Sequence, residues 1–265
     1  MSEQAFTYNT DSPYLTVTFL DVGQGDAIYI ETPDGVQALI DGGANNAVLR
    51  ELGKQMPLFD RSLDVVLATH PDKDHIGGLV DVLKRYEVAN IIRTNNEGET
   101  ATIDAFNLAV SNEGTAISYA TAGQQLALGA STSVLILSPA GDVTDLESNT
   151  SSIVAQLRYG EVEFMLTGDA PVSIEKYLVD TFGEALESEV LKFGHHGSRT
   201  STADEFLDTV DPQYGVVSAG QDNRYGHPHK EVIEKAESRG VDIFNTADIG
   251  TIVFKTDGKD VWVEE

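Results

Sequence analysis

The chain has 265 residues, 41% of them hydrophobic, enough for one large domain or two small ones around a sizeable core. Its 43 acidic against 17 basic residues leave a formal net charge of −26, which opposes non-specific binding to nucleic acid by a basic surface. Cysteine is absent, so disulfides and thiolate ligands are excluded and any metal must use histidine and carboxylate.

No apolar run approaches the length of a membrane span, and Met1–Pro13 lacks a signal pattern. The expectation is a soluble chain with no membrane contact of its own, cytoplasmic as written or extracytoplasmic if excised from a larger membrane protein. Residues 1–13 read as an N-terminal extension and 14–265 as one domain. Residues 14–41 read as three strands, with a turn-rich D-V-G-Q-G-D after the first. A P-D-G turn sits before the third, where Pro presets φ and Gly accepts a positive one. Ala47–Gln55 reads as a short helix and Leu63–Ala68 as a buried strand. Leu79, Val82, Leu83 and Tyr86 have helical spacing; Asn90–Arg93 reads as a strand and Ile103–Glu113 as a helix closed by Gly114. Strands are expected at 117–121, 125–128 and 133–137, and a hairpin-like pair around Gly160. A helix opens at Pro171, and a strand over 189–193 runs into G-H-H-G-S. Helices over 202–210 and 229–239 flank a strand at 214–218, and three short strands end the chain. Two β-rich halves with helices outside give a four-layer α/β/β/α arrangement.

The stretch Leu67–Leu79, L-A-T-H-P-D-K-D-H-I-G-G-L, packs His70, Asp72, Asp74 and His75 into six positions between a strand and a helix. Alternate residues of such a loop can face one cavity, and neutral imidazole with charged oxygen suits a divalent first-row ion. An Asp-capped helix would explain the acids alone, but not His70 or the Gly pair. The six histidines fall into three clusters, His70 and His75, His195 and His196, His227 and His229, each after a strand or its loop. Asp169, in L-T-G-D at the end of an apolar strand, reads as a carboxylate bridging two ions.

F-L-D-V-G-Q-G-D, A-T-H-P-D-K-D-H-I-G-G, L-T-G-D, L-K-F-G-H-H-G-S and N-R-Y-G-H-P-H together resemble the metallo-β-lactamase superfamily. They are most similar to the branch typified by the metal-hydrolase domain of ComEC-type competence proteins. The resemblance covers residues 15 to about 255 and implies an αβ/βα sandwich with its site at one edge, between the sheets. It implies two divalent ions, zinc or manganese. His70 and Asp72 would hold one, Asp74 and His75 the other, with Asp169 bridging and His195 completing the second centre. Asp41 matches an early Asp that orients the loop. His196, Ser198, His227 and His229 would line the substrate side, together with Asn149, Arg199 and Tyr225, with His227 a candidate further ligand.

The wider superfamily has H-x-H-x-D-H, whereas here Asp72 replaces the second His, and no His lies between 75 and 195. Asn149 and Ser152 occupy the equivalent stretch. An oxygen-rich first centre lowers zinc selectivity, admits manganese and argues against β-lactam hydrolysis as the native activity. The implied function is a metal-dependent phosphodiesterase, a nuclease acting on weakly bound DNA. The two ions would acidify a shared water. Asp74 would accept a hydrogen bond from it, and His196 or His227 would stabilise or protonate the leaving oxygen. Lys192, Arg199, Arg224 and Lys230 would bring positive charge near the later histidines. The alternative is a hydrolase of small esters: lactones, phosphocholine-type diesters or, promiscuously, β-lactams.

Overall fold

The computed structural model describes residues 12–264, so most of the expected N-terminal extension lies outside the described residues. The first half runs β1 (Leu15–Phe19), β2 (Ile28–Glu31), β3 (Gln37–Ile40), α1 (Ala47–Gln55), β4 (Ser62–Ala68), α2 (Lys73–Ile76), α3 (Leu79–Val82), β5 (Glu87–Arg93), α4 (Ala101–Glu113) and β6 (Ala116–Tyr119). The second runs β7 (Gln125–Leu128), β8 (Thr132–Ser138), β9 (Val154–Tyr159), β10 (Val162–Leu166), α5 (Val172–Phe182), β11 (Val190–Lys192), α6 (Asp204–Val210), β12 (Tyr214–Val217), α7 (Lys230–Glu237), β13 (Asp242–Asn245) and α8 (Thr246–Ile249). The last strands, β14 (Ile252–Thr256) and β15 (Val261–Val263), return to the first sheet.

One sheet has the order β15-β14-β1-β2-β3-β4-β5-β6 and the other β13-β12-β11-β10-β9-β8-β7. Each switches from antiparallel hairpins to parallel crossovers, the first at β3–β4 and the second at β10–β11. In open α/β sheets the carboxyl ends of strands near such a switch are where ligands settle. Asp41 follows β3, His70 follows β4, Asp169 follows β10 and His195 follows β11.

Period-2 alternation decides which core each strand residue joins. Leu67, Phe164 and Leu166 pack between the sheets, while Val66 faces the α1, α3 and α4 layer and Met165 faces α5–α7. Phe254 centres the inter-sheet core, with edge-on rings at 5.9 Å (Phe19) and 6.1 Å (Phe164). Each such pair adds about 0.5–1.5 kcal/mol beyond area burial. The α/β sandwich read from the sequence is therefore the observed architecture.

Local signals explain most boundaries. Thr100 caps α4 by accepting from Ile103 N, and Gly114 ends it at φ 69°. Some expectations shift. The helix expected through Tyr86 stops at Val82, because a turn over residues 83–86 must bring Glu87 into β5 beside β4. The strand expected over 189–193 shortens to Val190–Lys192. A short helix, α8, interrupts the last strands, where the sequence reads as strand alone; Asn245 caps it by accepting from Ala247 N.

Candidate metal centre

The first half builds its share of the site on the strand ends of β3 and β4. Asp41 has φ 58°, and its carboxylate accepts from Thr69 N (2.8 Å), Thr69 Oγ1 (2.6 Å) and His75 Nδ1 (2.8 Å). The Gly77–Gly78 pair lets the start of the helix layer lie against the Asp41–Gly43 turn. A Cβ at Gly78 would collide with the Gly42 carbonyl oxygen, and Gly78 N donates to Gly43 O at 2.8 Å.

The second half brings Asp169 and the G-H-H-G turn. Asp169 is buried, and its backbone N–H donates to Ser152 Oγ at 3.3 Å. His195 and His196 stand consecutively in left-handed backbone, at φ 50° and 57°. Such conformations cost free energy in non-glycine residues and persist where the surroundings over-determine them. Here His195 N donates to Gly168 O, Ser201 Oγ to Ala170 O, and Glu175 accepts the N–H groups of Thr202 and Ala203.

Four imidazoles converge on Asp169. Nε2 of His75 lies 3.3 Å from its carboxylate, that of His196 3.5 Å, His195 3.8 Å and His70 3.9 Å. Three rings are hydrogen-bonded on their other nitrogen, His70 to Thr69 Oγ1 (2.9 Å), His75 to Asp41 (2.8 Å) and His195 to Thr200 Oγ1 (3.0 Å), and Nδ1 of His196 faces Asp26 Oδ1 at 3.2 Å without a well-formed hydrogen bond. The Thr69 hydroxyl donates to Asp41 and the Thr200 hydroxyl to Ser198, so both oxygens accept from the rings. The three outer bonds place a proton on Nδ1, Asp26 offers His196 an acceptor on the same side, and all four rings turn Nε2 inward.

This arrangement fits metal. Nε2 of His70, His75 and His196 and Oδ1 of Asp169 are buried without hydrogen-bond partners. Buried polar atoms rarely stay so unless a ligand satisfies them. Two ligands about 2.0–2.1 Å from one tetrahedral ion stand roughly 3.3–3.4 Å apart, close to these separations. Asp72 Oδ2 stands 3.8 Å from His70 Nε2, and Asp74 Oδ2 stands 3.5 Å from His196 Nε2. His70 thus lies between Asp72 and Asp169, and His196 between Asp74 and Asp169, with His75 and His195 also turned to Asp169.

Electrostatics bind the same residues together. Burial disfavours charge on His75 and His196, but Asp169, with Asp41 or Asp26, outweighs it and holds both well above the ordinary histidine range. Burial likewise opposes ionisation of Asp169, yet His196 and His75 hold it well below the carboxylate range. Asp74 is lowered against burial by His196 and His75. Burial, with His75, pushes His70 down to about 4. An incoming cation must therefore displace protons from His75 and His196.

The remaining expected residues spread outward from this centre. Burial pushes His227 down to about 4, and Asn223 clamps its backbone at both N and O. Tyr225 is exposed and stacks on His227, with centroids 5.7 Å apart. His229 is engaged structurally, accepting from Arg199 N at 3.2 Å. Ser198 is buried beside Thr200, and Asn149 Oδ1 is buried without a hydrogen-bond partner. Arg199 and Lys230 pair with Glu231 and Glu234. Lys192 departs from expectation: it is fully buried and bonded to Asp26, so it offers no charge to a substrate. His196, expected on the substrate side, lies deeper than His195 and nearer Asp169.

Asp26, Thr69, Ser148 and Thr200 were not singled out. Ser148 Oγ donates to Asp72 Oδ1 at 2.6 Å, from the stretch where no histidine was found. Asp26 belongs to a buried group with His75, Asp169 and His196 whose donor atoms lie within 4.8 Å of one another. The available signal was its place in D-V-G-Q-G-D, a carboxylate delivered by a glycine turn between two strands.

A family model described as the metallo-beta-lactamase superfamily matches residues 20–221. ComE operon protein 3 of Bacillus subtilis is 30% identical over 268 residues, covering 94% of this chain and 34% of that protein. Recombination protein 2 of Haemophilus influenzae is 31% identical over 247 residues, covering 91% and 29%. The chain thus spans about a third of the length of these curated relatives. Among solved structures, the metallo-beta-lactamase fold protein YhfI from Bacillus subtilis superposes with a TM-score of 0.57 at 14% identity, covering 87% of this chain and 95% of that one.

Proposed function

The chain belongs to the metallo-β-lactamase superfamily, and from that premise we propose that it is a metal-dependent hydrolase, a phosphodiesterase cutting DNA. The observation that carries the reading is the convergence of four inward-facing Nε2 atoms on Asp169, with Asp72 beside His70. A first centre with one imidazole and two carboxylates is hard and oxygen-rich, which suits zinc or manganese and a phosphoryl oxygen. The similarity to competence proteins and to a recombination protein supports nucleic acid as substrate.

Two divalent ions, when held by His70, Asp72, Asp74, His75, Asp169 and His195 or His196, would acidify a water and polarise the phosphoryl group. The protein's own residues do the rest. Asp74, kept ionised, accepts a hydrogen bond from the attacking water. His227 is neutral near pH 7, so it donates a hydrogen bond to the leaving oxygen rather than a full charge. Tyr225 gives the mouth an exposed aromatic face beside it. With a net charge of −26, DNA binding is weak and salt-sensitive.

Side-by-side assays on single-stranded DNA, bis(p-nitrophenyl) phosphate and a chromogenic cephalosporin, with zinc and with manganese, test the proposal. Hydrolysis of the first two, abolished by His70→Ala with the fold retained, supports it. Turnover of the cephalosporin alone would overturn the phosphodiester reading in favour of the alternative hydrolase.

A further inference from the structure

Lys192 is the largest fully buried basic side chain among the described residues, and it sits on β11 of the second sheet. Its Nζ reaches across the sandwich to Asp26 Oδ2 at 2.7 Å and also donates to Phe193 O at 2.9 Å. Asp26 ends the β1–β2 connection of the first sheet. Its other oxygen faces His196 Nδ1 at 3.2 Å, while His196 Nε2 faces Asp74 and Asp169. The connection is wedged in place: Asp26 N donates to Asp74 O, Gly43 N donates to Asp26 O, and a Cβ on Gly25 would collide with the Asp74 carbonyl oxygen.

A buried ion pair is a poor way to hold two sheets together, because well-packed apolar residues do so without the cost of desolvation. Asp26 meets His196 at Nδ1, while Nε2 of the same ring faces Asp74 and Asp169, so its place is that of an orienting carboxylate. We propose that Asp26 and Lys192 are positioning residues for the second metal centre. Asp26 fixes His196 with Nδ1–H outward and its Nε2 lone pair inward. Lys192 neutralises Asp26, so that the carboxylate holds the ring instead of competing for the ion. The inference rests on the metal-site reading above and extends it to residues that touch neither substrate nor ion.

Zinc alone is the probe, titrated against a chelating dye, with thermal unfolding measured in parallel. Asp26→Asn should weaken one of two zinc sites by about 10–100-fold and leave the other unchanged. Long-range 15N–1H correlation on the zinc-loaded protein should show His196 protonated on Nδ1 in the wild type and redistributed in the variant. The double variant Asp26→Leu with Lys192→Met separates support from positioning, and also stands in if either single variant fails to fold. It should restore wild-type thermal stability while the weakened zinc site stays weak. Wild-type affinity at both sites in Asp26→Asn, or in the double variant, would overturn the inference while leaving the metal site standing. A wild-type protein that binds no zinc or manganese would overturn the site reading itself, and this inference with it.

Discussion

Asp41 and Asp26 each stand behind an imidazole, but they are satisfied in opposite ways. Asp41 lies at a strand end within one sheet, where Thr69 supplies a backbone N–H and a hydroxyl beside His75. Asp26 crosses between sheets, where its carboxylate meets the Lys192 ammonium and His196. Strand ends come with spare donors, so Asp41 draws on the backbone and hydroxyl of Thr69 as well as on His75. A carboxylate in the seam between sheets has none, and a cation must be buried with it. The backbones differ likewise. His75 sits in a regular helical turn, whereas His196 follows His195 through two left-handed residues. The second half of the site is the more strained and the more heavily braced.

The largest effect comes from removing what the two halves share. Asp169→Asn should lower bis(p-nitrophenyl) phosphate hydrolysis by about a thousandfold or more, with zinc stoichiometry falling below two, because in the proposed site one carboxylate serves both ions. Next comes a brace that only the second half needs. Burial pushes the Glu175 carboxyl up to about 7, against the N–H groups of Ala203 and Thr202 that it accepts. Its folded pKa lies above its unfolded value, so the unfolded chain ionises first as pH rises. Stability should therefore fall between roughly pH 4.5 and 7 and level off above, by about 3 kcal/mol in order of magnitude. Glu175→Gln should erase that slope in denaturant titrations at stepped pH; an unchanged slope would place the titration elsewhere.

The two halves were also unequally legible. The H-x-D-x-D-H stretch announces itself because its donors are close in sequence, and the glycine pair shows that a backbone must pass close by. Asp26 meets Lys192 across 166 positions of chain, and no local pattern encodes that contact. One clue was present. Val190 faces the inter-sheet core and Leu191 the helix layer, so period 2 puts Lys192 back between the sheets. A lysine at an inward position of a buried strand implies a buried partner. Which of His195 and His196 lies deeper depends on a left-handed turn that adjacent identical residues cannot reveal.

The comparison sharpens on Asp41→Asn. Asn tolerates the left-handed backbone at this position, so the change removes charge and acceptor capacity without breaking the turn. Zinc affinity at the second centre should drop about 10–100-fold. If Asp26→Asn gives a comparable drop, the two carboxylates do equivalent work despite their different settings. Smaller still per step is the effect of pH on loading. Asp169, with Asp41 or Asp26, holds protons on His75 and His196 against burial, so zinc must displace them. Affinity should rise with pH by about tenfold per unit for each proton released, and titration in weak buffer should register the release. No proton release would mean that the rings are already neutral.

Thr69→Val is the finest test. It keeps the shape of the side chain while deleting the hydroxyl that donates to Asp41 and accepts from His70 Nδ1. Asp41 keeps two donors, Thr69 N and His75, so the second centre should hold its ion nearly as tightly. His70 loses the hydrogen bond behind its ring, so any weakening should fall on the first centre. The loss of stability should be about 1 kcal/mol, the net worth of a typical buried hydrogen bond. Separate zinc titrations of the two sites decide it. Weakening confined to the first would show that the outer bonds act one ring at a time. Equal weakening of both would show that Asp41 needs all three donors, and would make the first half as dependent on its full set of partners as the second is on Lys192.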